Sequence, residues 1–300
     1  MYRRDNSQQG AGAVLLLITA LIWGCAFVAQ SVAMDHVGPF TFCASRFMLS
    51  GFAVAAFLLA RRALGYNEAR GMNLGRRRMR RNDGIAGGII CGFFLFLGAS
   101  LQQIGIQYTT TGKAGFLTAL YIILVPIYSI FLGRAPKKKV WIAAAIALAG
   151  MYLLCMEERF GLSKGDMFCV FCALAFPFQI LAVEIFAQRT DPVFLSCVQF
   201  LTVSLIAFFF ALIFEKPEPG ALKGTLVPLL YAGLMSGAVA YTLQVVGQEK
   251  MRNPSAASLI MSLESVFAAL AGFILLHQTM TPRKIIGCAV MFAAIILAQI

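Results

Sequence analysis

The feature that most constrains this chain is a succession of apolar runs of about 20 residues, separated by short polar gaps. As a helix rising 1.5 Å per residue, such a run covers the roughly 30 Å of hydrocarbon in a bilayer. Lipid offers no partner to backbone N–H and C=O groups, so uninterrupted runs of this kind demand transmembrane α-helices, which satisfy those groups internally. Ten spans are expected, over 12–33, 40–60, 84–107, 114–133, 139–156, 166–187, 193–214, 225–247, 255–276 and 283–300. The composition agrees: 60% of the 300 residues are hydrophobic and 13% charged, against about 25% charged in a soluble domain. The first run follows Arg3 and Arg4, as a signal peptide would, but it exceeds a 7–15-residue apolar core and is read as a retained helix.

The net charge of +12 does not indicate nucleic acid, because the basic residues sit in the gaps between runs, where they set orientation. With the N-terminus placed in the cytoplasm, seventeen of the 25 lysines and arginines fall inside and seven outside, with Arg46 within a span. This bias puts both termini on the cytoplasmic side. Eight of the seventeen lie in the long gap 61–83, which reads as an orientation signal, the alternative being contact with anionic lipid or a partner.

The chain also matches itself. A shift of 153 aligns Pro39 with Pro192, Phe47 with Phe200 and Trp23 with Phe176. A shift of 142 aligns Leu101-Gln102 with Leu243-Gln244 and Gly105 with Gly247, and a shift of 143 aligns Ala114 with Ala257 and Leu120 with Leu263. The matches keep their order, so residues 1–160 and 161–300 read as two copies of five helices. Five is odd, so the second copy enters from the opposite side. The expected fold is an all-α membrane protein of ten transmembrane helices in two inverted five-helix repeats. Gly84, Gly88 and Gly92 in span three, and Gly233 and Gly237 in span eight, give each span a face for close approach, suiting them to central positions.

Several of these segments resemble the drug/metabolite transporter superfamily, in its ten-helix EamA-type branch. Ile22-Trp23-Gly24-Cys25-Ala26-Phe27 is similar to the first-helix W-G-x-x-F pattern, and Arg46-Phe47 to the arginine-phenylalanine of the second helix. Ser262-Leu263-Glu264-Ser265-Val266-Phe267-Ala268-Ala269-Leu270 resembles the ninth-helix S-L-E-P-V-x-A-x-L, with Ala119-Leu120-Tyr121 opening its first-half copy. The chain departs from the pattern at Ser265, where proline is usual, and at Gln278, near where the family often has glutamate. The resemblance implies a multi-pass carrier of a bacterial-type plasma membrane. It also implies a cavity between the halves, alternating access, and small-molecule substrates such as amino acids, often moved outward.

Ionisable residues deep in a span are costly and mark function. Glu264 in span nine can bind a substrate ammonium or carry a proton for coupling, since burial favours the neutral form of a carboxyl; a hydrogen-bonded structural role is the alternative. Arg46 suits a substrate carboxylate but reads first as an arginine snorkelling to the interface. Glu184, a turn from the end of span six, reads as solvated. Gln102, Gln179 and Gln244 can hydrogen-bond a zwitterion without burying charge, or join helices. Trp23, Phe27, Tyr121 and Phe176 are candidates for cavity walls, and Pro126 and Pro177 for hinges. The substrate-binding set is therefore Trp23, Phe27, Gln102, Tyr121, Gln179, Gln244 and Glu264.

No catalytic set, metal site or cofactor motif is expected. His36 and His277 lack metal spacing, the pair Cys169 and Cys172 lacks a second pair, and no phosphate-binding loop occurs. Alternatives to a carrier are a membrane enzyme acting on lipid, which needs clustered carboxylates or histidines at one face, and a non-transporting scaffold or sensor.

Overall fold

The computed structural model describes residues 2–66, 72–109, 111–155, 163–216, 220, 224–276 and 279–299. Gln278 and His277 lie outside them. The described residues form thirteen α-helical segments: α1 (Tyr2–Met34), α2 (Pro39–Ala63), α3 (Leu74–Ile106), α4 (Thr111–Thr118), α5 (Tyr121–Phe131), α6 (Lys138–Cys155), α7 (Lys164–Ala187), α8 (Pro192–Phe214), α9 (Leu226–Leu230), α10 (Thr242–Met251), α11 (Pro254–Met261), α12 (Glu264–Leu276) and α13 (Pro282–Gln299). A wide-turned π-helix, Tyr231–Tyr241, joins α9 to α10 in one continuous rod. Pairing α4 with α5 and α11 with α12 as broken rods gives ten rods. Among the described residues nine segments are long and apolar enough to cross a membrane; the tenth rod, α13, packs along α6.

Two sequence expectations change. The gap 61–83 shrinks, because α2 runs to Ala63 and α3 begins at Leu74. Asn73 drives this early start: its side chain caps the helix by accepting from the Arg76 amide (2.8 Å), so the arginines continue the helix. At 33 residues α3 is about 50 Å long, roughly 20 Å more than the hydrocarbon requires. Spans four and nine are each broken, at Ala119-Leu120 and Ser262-Leu263, through turns bonded three residues back such as Leu120 N to Leu117 O and Leu263 N to Ile260 O. Pro126 and Pro177 lie inside α5 and α7.

Packing pairs the first five rods with the last five. α3 lies along α7 and α1 along α10; α2 packs on α8 and α6 on α13. Exchanging each rod for the one five places on leaves these pairings unchanged. The glycine stripes explain how the rods come so close. A Cβ at Gly92 would lie 2.6 Å from Thr202 Cβ, and one at Gly88 2.5 Å from Val198 Cβ, so this stripe seats α3 on α8. Gly233 does the same for α2, where an added Cβ would meet Leu49 at 2.7 Å. The two stripes thus serve corresponding neighbours, α8 and α2, instead of each other.

Polar ties fix the ends of these pairs. At one face the Glu215 carboxylate accepts from the Phe40 and Thr41 amides (2.7 Å each), occupying the open N-terminus of α2. At the other face Arg61 of α2 pairs with Asp191, which also caps α8 by accepting from the Val193 amide at 2.9 Å. The fourth rod is tied to α7 in the same two-ended way, by Lys113 to Asp166 (3.5 Å) and Arg134 to Glu184 (2.6 Å). Glu184 is therefore not a solvated interfacial group: it is 6% exposed and held by Arg134.

A candidate substrate cavity between the halves

The breaks in the fourth and ninth rods place the first residues of α5 and α12, Tyr121 and Glu264, side by side. Tyr121 Oη donates to Glu264 Oε1 across 3.2 Å. They occupy equal positions in the two halves, 143 residues apart. Both line a central cavity, together with Trp23, Phe27, Gln102, Gln179 and Gln244. All seven residues singled out in the sequence therefore meet at one place.

The lining follows the internal repeat. Trp23 faces the same space as Phe176, Phe27 as Ile180, Gln102 as Gln244, Thr118 as Met261 and Tyr121 as Glu264, each pair at an offset of 153, 142 or 143. Trp23, Phe27 and Gln30 fall at i, i+4 and i+7 on α1, and Phe176, Gln179 and Ile180 at i, i+3 and i+4 on α7, one helical face each. That spacing would have found Gln30 and Ile180. Ser236 and Tyr241 enter because of the π-helix, whose register no apolar pattern announces.

Hydrogen bonds position the polar side chains. Gln244 Nε2 donates to Gln179 Oε1, and Gln179 Nε2 to Gln199 Oε1, at 3.2 Å each. Gln102 Nε2 donates to Thr118 Oγ1 (3.3 Å), and Trp23 Nε1 to the Ser236 carbonyl (3.2 Å). The Tyr241 ring packs on Trp23 with centroids 4.6 Å apart. Gln244 Oε1 is buried and accepts no bond among the described residues. It is a buried acceptor on a residue that, like Glu264, lines the cavity.

Arg46 corrects the sequence reading. It does not snorkel: it is 3% exposed, lines the cavity, and donates to Gln30 Oε1 at 2.7 Å. Its guanidinium lies over the Phe47 ring at 4.7 Å and the Phe42 ring at 5.6 Å, and its Nε has no partner among the described residues. None of the ion pairs among the described residues engages it. Its counterpart 153 residues on is the neutral Gln199. Among the described residues the cavity lining thus contains one cation and one carboxyl, Arg46 and Glu264, each matched at the repeat offset by a residue without charge, Gln199 and Tyr121. The cavity has a volume of about 40 Å³. At 10–15 Å³ of that measure per water, roughly three waters fit, so this conformation suits a small polar solute.

Ten helical rods packed around a small cavity, nine of them among the described residues long and apolar enough to cross a bilayer, describe a multi-pass membrane protein. The family model described as "EamA-like transporter family" matches the chain twice, over residues 10–156 and 163–299. The chain belongs to the EamA-like transporter family. An "Uncharacterized transporter" of Archaeoglobus fulgidus (strain ATCC 49558 / DSM 4304 / JCM 9628 / NBRC 100126 / VC-16) is 28% identical over 286 residues, covering 95% of this chain and 84% of that protein. A solved structure titled "Crystal structure of protein" shares the fold with a TM-score of 0.74 at 18% identity, over 96% of both chains. Family and relative point to a transporter, not an enzyme.

Proposed function

We propose that this chain is a secondary carrier that exports amino acids or related small zwitterionic metabolites by alternating access. The observation that carries this reading is the pair of opposite, mutually unpaired groups in one small cavity: the Arg46 guanidinium and the Glu264 carboxyl. A buried ion without a counter-ion is costly, so such a site favours a solute that brings the complementary charge. A carboxylate fits the guanidinium fork, and an ammonium fits the wall formed by Glu264 and the unpartnered Gln244 Oε1. Glutamines and aromatics supply the rest of the contact, as in most small-molecule sites.

The two halves, 1–160 and 161–300, are the inverted repeats whose rocking exposes the cavity to each side in turn. The matched lining pairs and the packing that survives exchange of the halves support this. The distribution of basic residues supports cytoplasmic termini in a bacterial-type plasma membrane. Glu264 is the group that takes part in proton coupling. Purified protein in liposomes, given radiolabelled amino acids, will catalyse counterflow without ATP. Failure of every small amino acid to move, together with none raising the melting temperature, sinks the proposal.

A further inference from the structure

Gln199 stands outside the cavity yet ends a chain of amides that reaches its wall. Gln244 Nε2 donates to Gln179 Oε1, and Gln179 Nε2 to Gln199 Oε1, each across 3.2 Å. Gln179 and Gln244 line the cavity, whereas Gln199, on α8, is fully buried outside it. One atom is left over at each end of the chain. These atoms, Gln244 Oε1 and Gln199 Nε2, are both buried and have no hydrogen-bond partner among the described residues. The two ends of a glutamine amide have nearly the same shape, one accepting and the other donating. Turning all three amides by half a turn therefore reverses both hydrogen bonds while the heavy atoms keep their places. The reversed chain also has two bonds, with Gln244 Nε2 and Gln199 Oε1 left over. Neither direction wins on its internal bonds, so the groups at the two ends decide.

The internal repeat points to the far end as the place where direction is set. Position 199 corresponds to position 46 in the other half, where α2 carries arginine, a donor with no acceptor. Arg46 Nη1 donates to Gln30 Oε1 of α1 at 2.7 Å, and Gln30 lines the cavity. In both halves this position thus addresses a lining glutamine on the preceding rod, α1 or α7. Arginine fixes the direction of that bond; glutamine leaves it reversible. We infer that Gln199 is a positioning residue that determines specificity: acting through Gln179, it sets whether Gln244 shows the substrate an acceptor or a donor. This role rests on the proposed ammonium site at Gln244 and Glu264. With Gln244 Oε1 free the chain suits an ammonium; reversed, it suits a carbonyl oxygen.

L-Alanine and pyruvate separate the two directions, since both keep a carboxylate for Arg46 and differ in an ammonium against a carbonyl oxygen. Affinities are measured by calorimetry on the full chain in detergent. Gln199→Arg, which can only donate, should lower the ratio of alanine to pyruvate affinity about tenfold, the worth of roughly one hydrogen bond to a charged group. Gln199→Met, neutral and unable to donate, should raise the ratio about threefold by disfavouring the reversed chain. In a Gln179→Met background the chain is cut, and Gln199→Arg should move the ratio less than about twofold. A shift that persists in that background, or equal losses of both ligands in either single variant, would overturn the inference. Should the wild type bind neither ligand, the zwitterion site falls, and side-chain amide spectra of ligand-free protein labelled with 15N-glutamine decide the relay alone. Gln199→Arg should then move the Gln244 amide resonance, and not in the Gln179→Met background; a Gln244 resonance that stays put overturns the relay.

Discussion

Replacing Arg46 tests the proposed site most directly, because the residue is tied into the cavity by few bonds. It donates one short hydrogen bond, to Gln30, and a longer one to Cys43 Sγ (3.7 Å), and rests on two phenyl rings. It gains nothing from a carboxylate among the described residues, while its burial carries a desolvation cost. Arg46→Gln should therefore change the stability of the substrate-free protein by less than about 1 kcal/mol. Substrate binding should respond quite differently. A charge-assisted contact to a buried carboxylate is worth about 3 kcal/mol, so an amino-acid ligand should bind on the order of 100-fold more weakly to the variant. The decisive comparison is a cycle that removes the other partner: the amine lacking the carboxylate should bind variant and wild type within a factor of three. Affinities come from calorimetry or scintillation proximity in detergent, and stability from thermal melts. If acid-bearing and acid-lacking ligands lose equal affinity, Arg46 does not read a carboxylate and the zwitterion assignment fails.

Three further outcomes follow from the geometry. Glu264→Gln keeps an acceptor for Tyr121 Oη but removes the one carboxyl among the described lining residues, so transport should persist under counterflow while its dependence on pH flattens; an unchanged pH profile would exclude Glu264 as the proton carrier. Gly88→Ala forces a Cβ to within 2.5 Å of Val198 and should destabilise by about 1–3 kcal/mol in a thermal melt, whereas Gly10→Ala, which meets nothing within 4 Å, should be neutral. Asp191→Ala removes both the α8 cap and the partner of Arg61, at a cost of about 1–3 kcal/mol; Asp191→Asn, still able to cap, should recover about half, and equal losses would show the cap to be unimportant.

The rods were legible because lipid enforces a simple rule: every crossing needs an unbroken apolar helix. That rule could not disclose the breaks before Tyr121 and Glu264, since a turn bonded three residues back uses the same apolar residues as the helix it interrupts. The N-cap at Asn73 was equally hidden inside a run of arginines that reads as loop. The cavity was legible to the extent that the chain repeats itself. Gln102 with Gln244, and Trp23 with Phe176, were found by self-alignment, and both pairs reach the cavity. Arg46 was misread because depth along a span says nothing of which side of the helix faces protein. Only packing against Gln30, Phe42 and Phe47 reveals it.

The matched lining has a consequence for energetics. When two halves of a carrier exchange roles, the shape of the cavity is nearly preserved, so the inward-facing and outward-facing forms begin close to degenerate. Whatever separates them must come from positions where the halves differ. The matched positions that differ in ionisable character are arginine against glutamine at 46 and 199, and tyrosine against glutamate at 121 and 264. On the alternating-access reading, the resting bias of the protein is written in these two mismatches. Exchanging the second of them, with Tyr121→Glu and Glu264→Tyr in one chain, is expected to turn its preferred side around.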